Sequence, residues 1–287
     1  YYPDRDHLLL RKSIASWHGI ETSMVLPGNG AAELFTWAAK EAQINGLSAL
    51  PSPCFSDYER ALNCWDAKYI SVPLPLSWGS KMPQEFPLRP KADVLWITNP
   101  HNPTGQLWDR NSIEKLINNY KLIICDEAFL SLVPKGESQS LLKLTSTYDN
   151  LIVIRSLTKI FGIAGLRLGY AVSKSNRLNR WKKMRDPWPL NSLAIRTGEL
   201  LMGDNNLQSS WIKKIHKWVE QESKWLNKEL NNFKILKTFP TATNFQLIQS
   251  NSSLLNLNAE LSSKGIILRD CRSFKDLGEN WLRISLQ

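Results

Sequence analysis

Short apolar runs rich in Ile, Leu and Val alternate with helically spaced segments through the middle of the chain. Asp93–Thr98, Leu122–Asp126, Leu151–Arg155 and Leu168–Val172 read as strands. Between the first two, Asn111–Tyr120 carries helical spacing, with Asn111 or Ser112 as its cap. This alternation predicts an α/β domain whose central sheet is mostly parallel and covered by helices. In such a sheet the functional loops gather at the carboxyl ends of strands. Asn99–Gly105, Asp126–Phe129 and Ser156–Lys159 fall at those ends.

After residue 205 the pattern changes. Asn206–Asn232 reads as one long amphipathic helix in which Trp211, Trp218 and Trp225 recur beside Ile215 and Leu226, a stripe expected in a core or an interface. A strand (Asn244–Gln249), a helix (Leu254–Lys264) and two strands (Ile266–Arg269, Trp281–Leu286) follow. The predicted division is a large domain over residues 25–205 and a smaller α+β domain from 1–24 and 206–287. No repeat or low-complexity linker interrupts it.

The chain is long enough for these two units, and no apolar run approaches membrane-spanning length. Cys54, Cys64, Cys125 and Cys271 lack metal-type spacing and read as reduced thiols of a cytoplasmic protein, with no metal site. The net charge of +10 raises the question of nucleic acid, since Arg177, Arg180, Lys182, Lys183 and Arg185 cluster around Trp181. The other lysines are dispersed among Glu and Asn. A basic surface serving a phosphorylated cofactor and an anionic substrate accounts for the charge without a nucleic-acid partner.

The motif Ser156-Leu157-Thr158-Lys159 follows a strand and precedes Arg167 by eight residues. A lysine so placed, with hydroxyls and an arginine nearby, suits a Schiff base to an aldehyde cofactor whose phosphate the neighbours hold; pyridoxal phosphate has these needs. Pro27-Gly28-Asn29-Gly30-Ala31-Ala32-Glu33 opens a helix whose free N–H groups form a phosphate site or simply a tight turn. Asn99-Pro100-His101-Asn102-Pro103-Thr104-Gly105 aims polar side chains into a cleft, Asn102 toward a phenolic oxygen on a bound ring. His101 reads equally as a supporting or a reacting group. Asp126 ends a very apolar strand, where it serves as a helix cap or keeps a pyridine nitrogen protonated. Phe55 and Tyr58 supply an aromatic face for a ring or for the core. Arg283, in an alternating strand, reads as a carboxylate ligand or a salt bridge, and Arg269 as the holder of a second anion.

Together these motifs resemble fold-type I pyridoxal-phosphate enzymes of the class I/II aminotransferase superfamily, in order and over essentially the whole chain. The resemblance implies that Lys159 carries the covalent link to pyridoxal 5′-phosphate and later moves the proton. It implies that Asp126 pairs with the ring nitrogen, Asn102 with the phenolic oxygen, and that Phe55 stacks on the ring. Gly30, Ala31, Ala32, Ser156, Thr158 and Arg167 would surround the phosphate, and Arg283 would grip the substrate carboxylate. Tyr2, in Tyr1-Tyr2-Pro3-Asp4, matches the tyrosine that reaches the partner subunit's cofactor phosphate, implying a homodimer.

Within the superfamily, two branches compete: histidinol-phosphate aminotransferases and L-threonine-O-3-phosphate decarboxylases of cobalamin biosynthesis. Phe129 stands where most aminotransferases keep a tyrosine. Asp186-Pro187-Trp188-Pro189-Leu190-Asn191-Ser192-Leu193-Ala194 resembles the decarboxylase stretch P-W-x-x-N-x-L-A, which makes Asn191 a candidate substrate contact. Arg269-Asp270-Cys271-Arg272-Ser273-Phe274, with Leu277-Gly278, resembles R-x-C-x-N-[YF]-x-G-L, with Ser273 in place of the Asn and Asp276 in place of the Gly. The decarboxylase is the expected branch, acting on a phosphorylated amino acid. The family pattern also leads one to expect an N-terminal arm and a final helix beyond the two ends of this chain. The same fold occurs as a sensing domain attached to a DNA-binding module; the set Lys159, Asp126, Asn102, Arg167 and Arg283 favours the enzyme.

Overall fold

The computed structural model describes residues 2–286. Its large sheet contains β1 (Val25–Asn29), β2 (Ser48–Ser52), β3 (Tyr69–Pro73), β4 (Val94–Thr98), β5 (Leu122–Asp126), β6 (Leu151–Ser156) and β7 (Leu168–Val172). Their spatial order is β1-β7-β6-β5-β4-β2-β3. The pairs from β3 through β6 are parallel, and β7 runs antiparallel to both its neighbours. The expected mostly parallel sheet is therefore present, and the four apolar runs coincide with β4 to β7. Those strands are buried throughout because helices cover both faces, so their sequences are continuously apolar.

Alternation divides the strand side chains between two cores. Trp96, Ile124, Ile152 and Ile154 face one, where Leu34, Phe35 and Ala38 of α2 (Gly30–Asn45, after α1, Leu8–His18) pack. Ile97, Cys125, Val153 and Tyr170 face the other, with Leu10 and Ile14 of α1. The strand parity thus sends neighbouring residues at each strand end to opposite faces. This has consequences at Asp126 and Glu127.

The remaining large-sheet helices are α3 (Asp57–Asn63), α4 (Arg110–Glu114), α5 (Leu157–Ile160), α6 (Ser175–Met184) and α7 (Ser192–Gly203). Then come α8 (Asn205–Leu230) and α9 (Leu255–Ser263). A second, antiparallel sheet has the order β10-β11-β9-β8, from β8 (Leu236–Thr238), β9 (Phe245–Ser250), β10 (Arg269–Asp270) and β11 (Trp281–Ser285). Phe239, Leu247, Phe274, Leu277 and Trp281 form its own apolar cluster, against which Leu76 and Trp78 pack.

Four expectations need correction. The helix expected over 111–120 is α4 followed by a 3-10 turn at Ile117–Asn119, and its cap is Asp109, which accepts from the Ser112 N–H at 2.9 Å. The strand expected at Ile266–Arg269 pairs only at Arg269–Asp270; Ile266 and Ile267 are exposed. Residues 1–24 were assigned to the smaller domain, yet Leu10, Ile14 and Ala15 of α1 are buried in the large core against α7. Of the two alternatives for the tryptophan stripe of α8, core does not hold and interface is untouched: Trp211 and Trp225 are exposed, and the buried side chains of that helix are Gln208 and Val219. Among the described residues no helix is long and apolar enough to cross a membrane.

Candidate active site

A cavity of about 300 Å³ opens between the carboxyl ends of β5 and β6, the start of α2, and the β10–β11 edge of the small sheet. Lys159 projects into it from the single turn of α5. Its Nζ stands 5.2 Å from the centre of the Phe129 ring. Burial, reinforced by the charges of Arg283 and Arg167, holds the ammonium below the ordinary lysine range, while Asp126 opposes them. An amine so placed loses its proton more readily and becomes a better nucleophile.

Asp126 shares the parity of Ile124 and so faces the α2 side, into the cavity floor. Its carboxyl is pushed up to about 6 by burial, although Tyr58 and the Ala128 N–H both donate to it and pull the other way. Asn102 is buried on the cavity wall, and its Oδ1 accepts from Arg283 Nη1 at 2.5 Å. Arg283 lies over the Phe245 and Phe274 rings, and burial lowers its guanidinium to about 10. Its Nε is buried without a partner among the described residues. A buried donor left unsatisfied in a cavity wall marks a place where an anion would be welcome.

At the other end of the cavity, Ala31 and Ala32 begin α2 beside the hydroxyls of Ser156 and Thr158, which are 2.7 Å apart, and beside Arg167. Gly30 has φ +72°, and a Cβ there would lie 2.5 Å from Arg167 Nη2. Only glycine lets the guanidinium lie across the helix start. Free N–H groups, two hydroxyls and an arginine make a phosphate cradle. Phe55 forms an apolar wall and Arg269 lies at the small-sheet edge. Four cations (Lys159, Arg167, Arg269, Arg283) thus face one carboxylate, Asp126. The donor set fits pyridoxal 5′-phosphate: an amine, a carboxylate for the ring nitrogen, an amide for the phenolic oxygen, and the cradle.

Sequence reasoning missed the layer behind this floor. Glu127 and Arg155 share the opposite parity and meet in the other core. Arg155 Nε donates to Glu127 at 2.8 Å, and its terminal nitrogens donate to both oxygens of Glu137 at 2.7 and 2.9 Å. Ser140 Oγ and the Leu141 N–H donate to Glu127 as well, each at 2.7 Å. The ion pair ties the residue after Asp126 to the residue before Ser156. Period-two alternation across two strand ends was the available signal.

Not every expected residue reaches the cavity. Asn191 instead caps α7, accepting from the Ala194 N–H at 2.8 Å and donating to the Leu166 carbonyl at 3.1 Å. An asparagine before a helix does this ordinarily. Tyr58 is not on a ring face but buried beneath Asp126, bonded also to Thr98 at 2.9 Å. His101 bonds Thr104 at 2.8 Å and is held neutral by burial, which lowers it to about 3. Tyr2 is exposed, its ring 4.7 Å from that of Trp188. Among the described residues no cluster of three His, Cys, Asp or Glu side chains is placed to hold a metal.

Comparison with known proteins agrees with this geometry. A model of the family "Aminotransferase class I and II" matches residues 1–287. A putative threonine-phosphate decarboxylase of Caldanaerobacter subterraneus is 29% identical over 293 residues, covering 100% of this chain and 78% of that protein. A histidinol-phosphate aminotransferase of the same organism is 30% identical over 289 residues, covering 99% and 79%. The crystal structure of L-threonine-O-3-phosphate decarboxylase from Porphyromonas gingivalis superposes with a TM-score of 0.86 at 23% identity, covering 100% of this chain and 86% of that one.

Proposed function

The chain belongs to the class I and II aminotransferases, enzymes that use pyridoxal 5′-phosphate, and from that premise we propose that it decarboxylates L-threonine O-3-phosphate to (R)-1-amino-2-propanol O-2-phosphate, a step of cobalamin biosynthesis. One observation carries the reading: three arginines face the cavity. Arg167 belongs with the cofactor phosphate, which leaves Arg269 and Arg283 for two further anionic groups. A phosphorylated amino acid has a carboxylate and a phosphate to offer them. Relatives described as threonine-phosphate decarboxylases, at 29% and 28% identity, support the same choice.

The bound cofactor supplies an electron-accepting ring conjugated to the substrate nitrogen. Asp126 holds the ring-nitrogen proton, Asn102 donates to the phenolic oxygen, Phe55 covers a ring face, and Ala31, Ala32, Ser156, Thr158 and Arg167 hold the phosphate. Arg283 would grip the substrate carboxylate, and Arg269 would take the substrate phosphate. As CO₂ leaves, Lys159 delivers a proton to the carbon that lost it. Phe129 beside Lys159 offers no hydroxyl to compete for that proton. The exposure of Tyr2 suits contact with a partner subunit's phosphate in a homodimer, and the free cysteines suit a reducing cytoplasm.

The test is CO₂ release from L-threonine phosphate by the holoenzyme with no keto acid present. Sustained release bears out the decarboxylase. No release, with 2-oxoglutarate-dependent transamination of histidinol phosphate, moves the chain to the aminotransferase reading that the 30% relative represents.

A further inference from the structure

The segment from Arg269 to Gly278 forms one wall of the cavity. Arg269 lies over the Phe274 ring at 5.5 Å and donates to Ser273 at 2.9 Å, and Arg283 lies over the same ring at 5.9 Å. Cys271, Phe274 and Leu277 root this wall in the small-sheet core. The opposite wall is Phe55, three residues beyond the end of β2. Nothing in the apolar clusters ties the tip of one wall to the other.

The Ser52 hydroxyl does so. Ser52, the buried last residue of β2, donates to Asp276 Oδ2 at 2.5 Å, with the Lys275 carbonyl 3.4 Å away. A hydroxyl bound to a carboxylate is among the stronger hydrogen bonds. Asp276 stands at φ +67°, a left-handed backbone that glycine adopts without cost and that aspartate adopts with some. A side chain kept at such a position needs a contact to repay it, and Ser52 is that contact.

We infer that Asp276 is a positioning residue: through Ser52 it clamps the Arg269–Phe274 wall to the cofactor-binding half and so sets the width of the substrate cleft. Asp276 does not line the cavity. Its effect reaches the substrate through Arg269 and Phe274, and this part rests on their reading as substrate contacts given above.

The test compares Asp276→Gly, which keeps the left-handed turn without strain, Ser52→Ala, which removes the donor, and Asp276→Asn, which keeps both the turn and an acceptor. In the holoenzyme, Asp276→Gly and Ser52→Ala raise KM for L-threonine phosphate about tenfold, the loss of one buried hydrogen bond, with kcat little changed. Asp276→Asn stays near the parent value. In the cofactor-free protein, amide hydrogen exchange across residues 270–278 accelerates in Asp276→Gly and Ser52→Ala but not in Asp276→Asn. Parent-like exchange in Asp276→Gly, or acceleration in Asp276→Asn equal to that in Asp276→Gly, overturns the clamp. If the parent enzyme does not act on L-threonine phosphate, the proposed reaction fails while the exchange measurement still decides the clamp.

Discussion

Tyr58 donates a 2.5 Å hydrogen bond to Asp126 from directly beneath the cavity floor. The bond opposes the burial that pushes the carboxyl up to about 6. A protonated Asp126 cannot pair with a ring N–H, so cofactor affinity falls as pH drops through that value. Tyr58→Phe removes the opposing bond and moves the loss of affinity to higher pH, with binding near neutrality about tenfold weaker. Dissociation constants for pyridoxal phosphate measured from pH 5 to 8 check this; superimposable profiles for the two proteins would sink it.

The same carboxyl makes a claim about stability. Because its folded pKa of about 6 lies above its ordinary 3.8, the native state binds more protons than the unfolded state between those values. The contribution of Asp126 to stability therefore declines as pH rises through this window, and above it the ionised group is a full cost. Cofactor-free Asp126→Asn should be more stable than the parent by ~3 kcal/mol at pH 7, with the gap closing near pH 4. Urea unfolding at the two pH values reads the difference directly. A constant gap would assign the effect to something other than this ionisation.

Lys159→Ala should abolish turnover of every amino acid while leaving the fold intact, since the side chain reaches into open cavity rather than into a core. The expected change in unfolding free energy is within about 0.5 kcal/mol, as for surface sites. Multiple turnover by the variant would refute the role given to this lysine.

Arg155→Met strands Glu127 in a dry core without its counter-ion. Breaking a buried pair in this way costs about 3–5 kcal/mol. Adding Glu127→Gln removes the stranded charge and should recover much of the loss. Equal destabilisation in the single and double variants would mean that the pair contributes through packing alone.

Much of the fold was legible because four strands are buried on both faces and so announce themselves as unbroken apolar runs ending in polar motifs. Lys159, Asp126 and Asn102 reach one cavity for that reason. The strands β1 and β2 were not visible: Val25–Asn29 contains proline and glycine, and Ser48–Ser52 contains proline and two serines. Heptad spacing in α8 signals a continuous stripe but not what covers it, and Trp225 remains exposed. Asn191 looked like a ligand because helix caps and ligands draw on the same residue types. Tyr58 beneath Asp126, Arg155 against Glu127, and Ser52 against Asp276 join distant segments, and no local periodicity encodes such meetings.

The reversed strand β7 also orders events in time. Among the described residues β1 pairs only with β7, so the chain's first strand finds its place only after most of the large sheet's sequence exists. The pairing closes a loop of about 150 residues, with the chain-entropy cost that such a closure carries. The start of α2 follows β1 directly, and Arg167 immediately precedes β7. Arg167 therefore lies beside Gly30 only where the last strand of the large sheet in sequence pairs with the first, so the two sides of this corner come from opposite ends of the large domain's sequence.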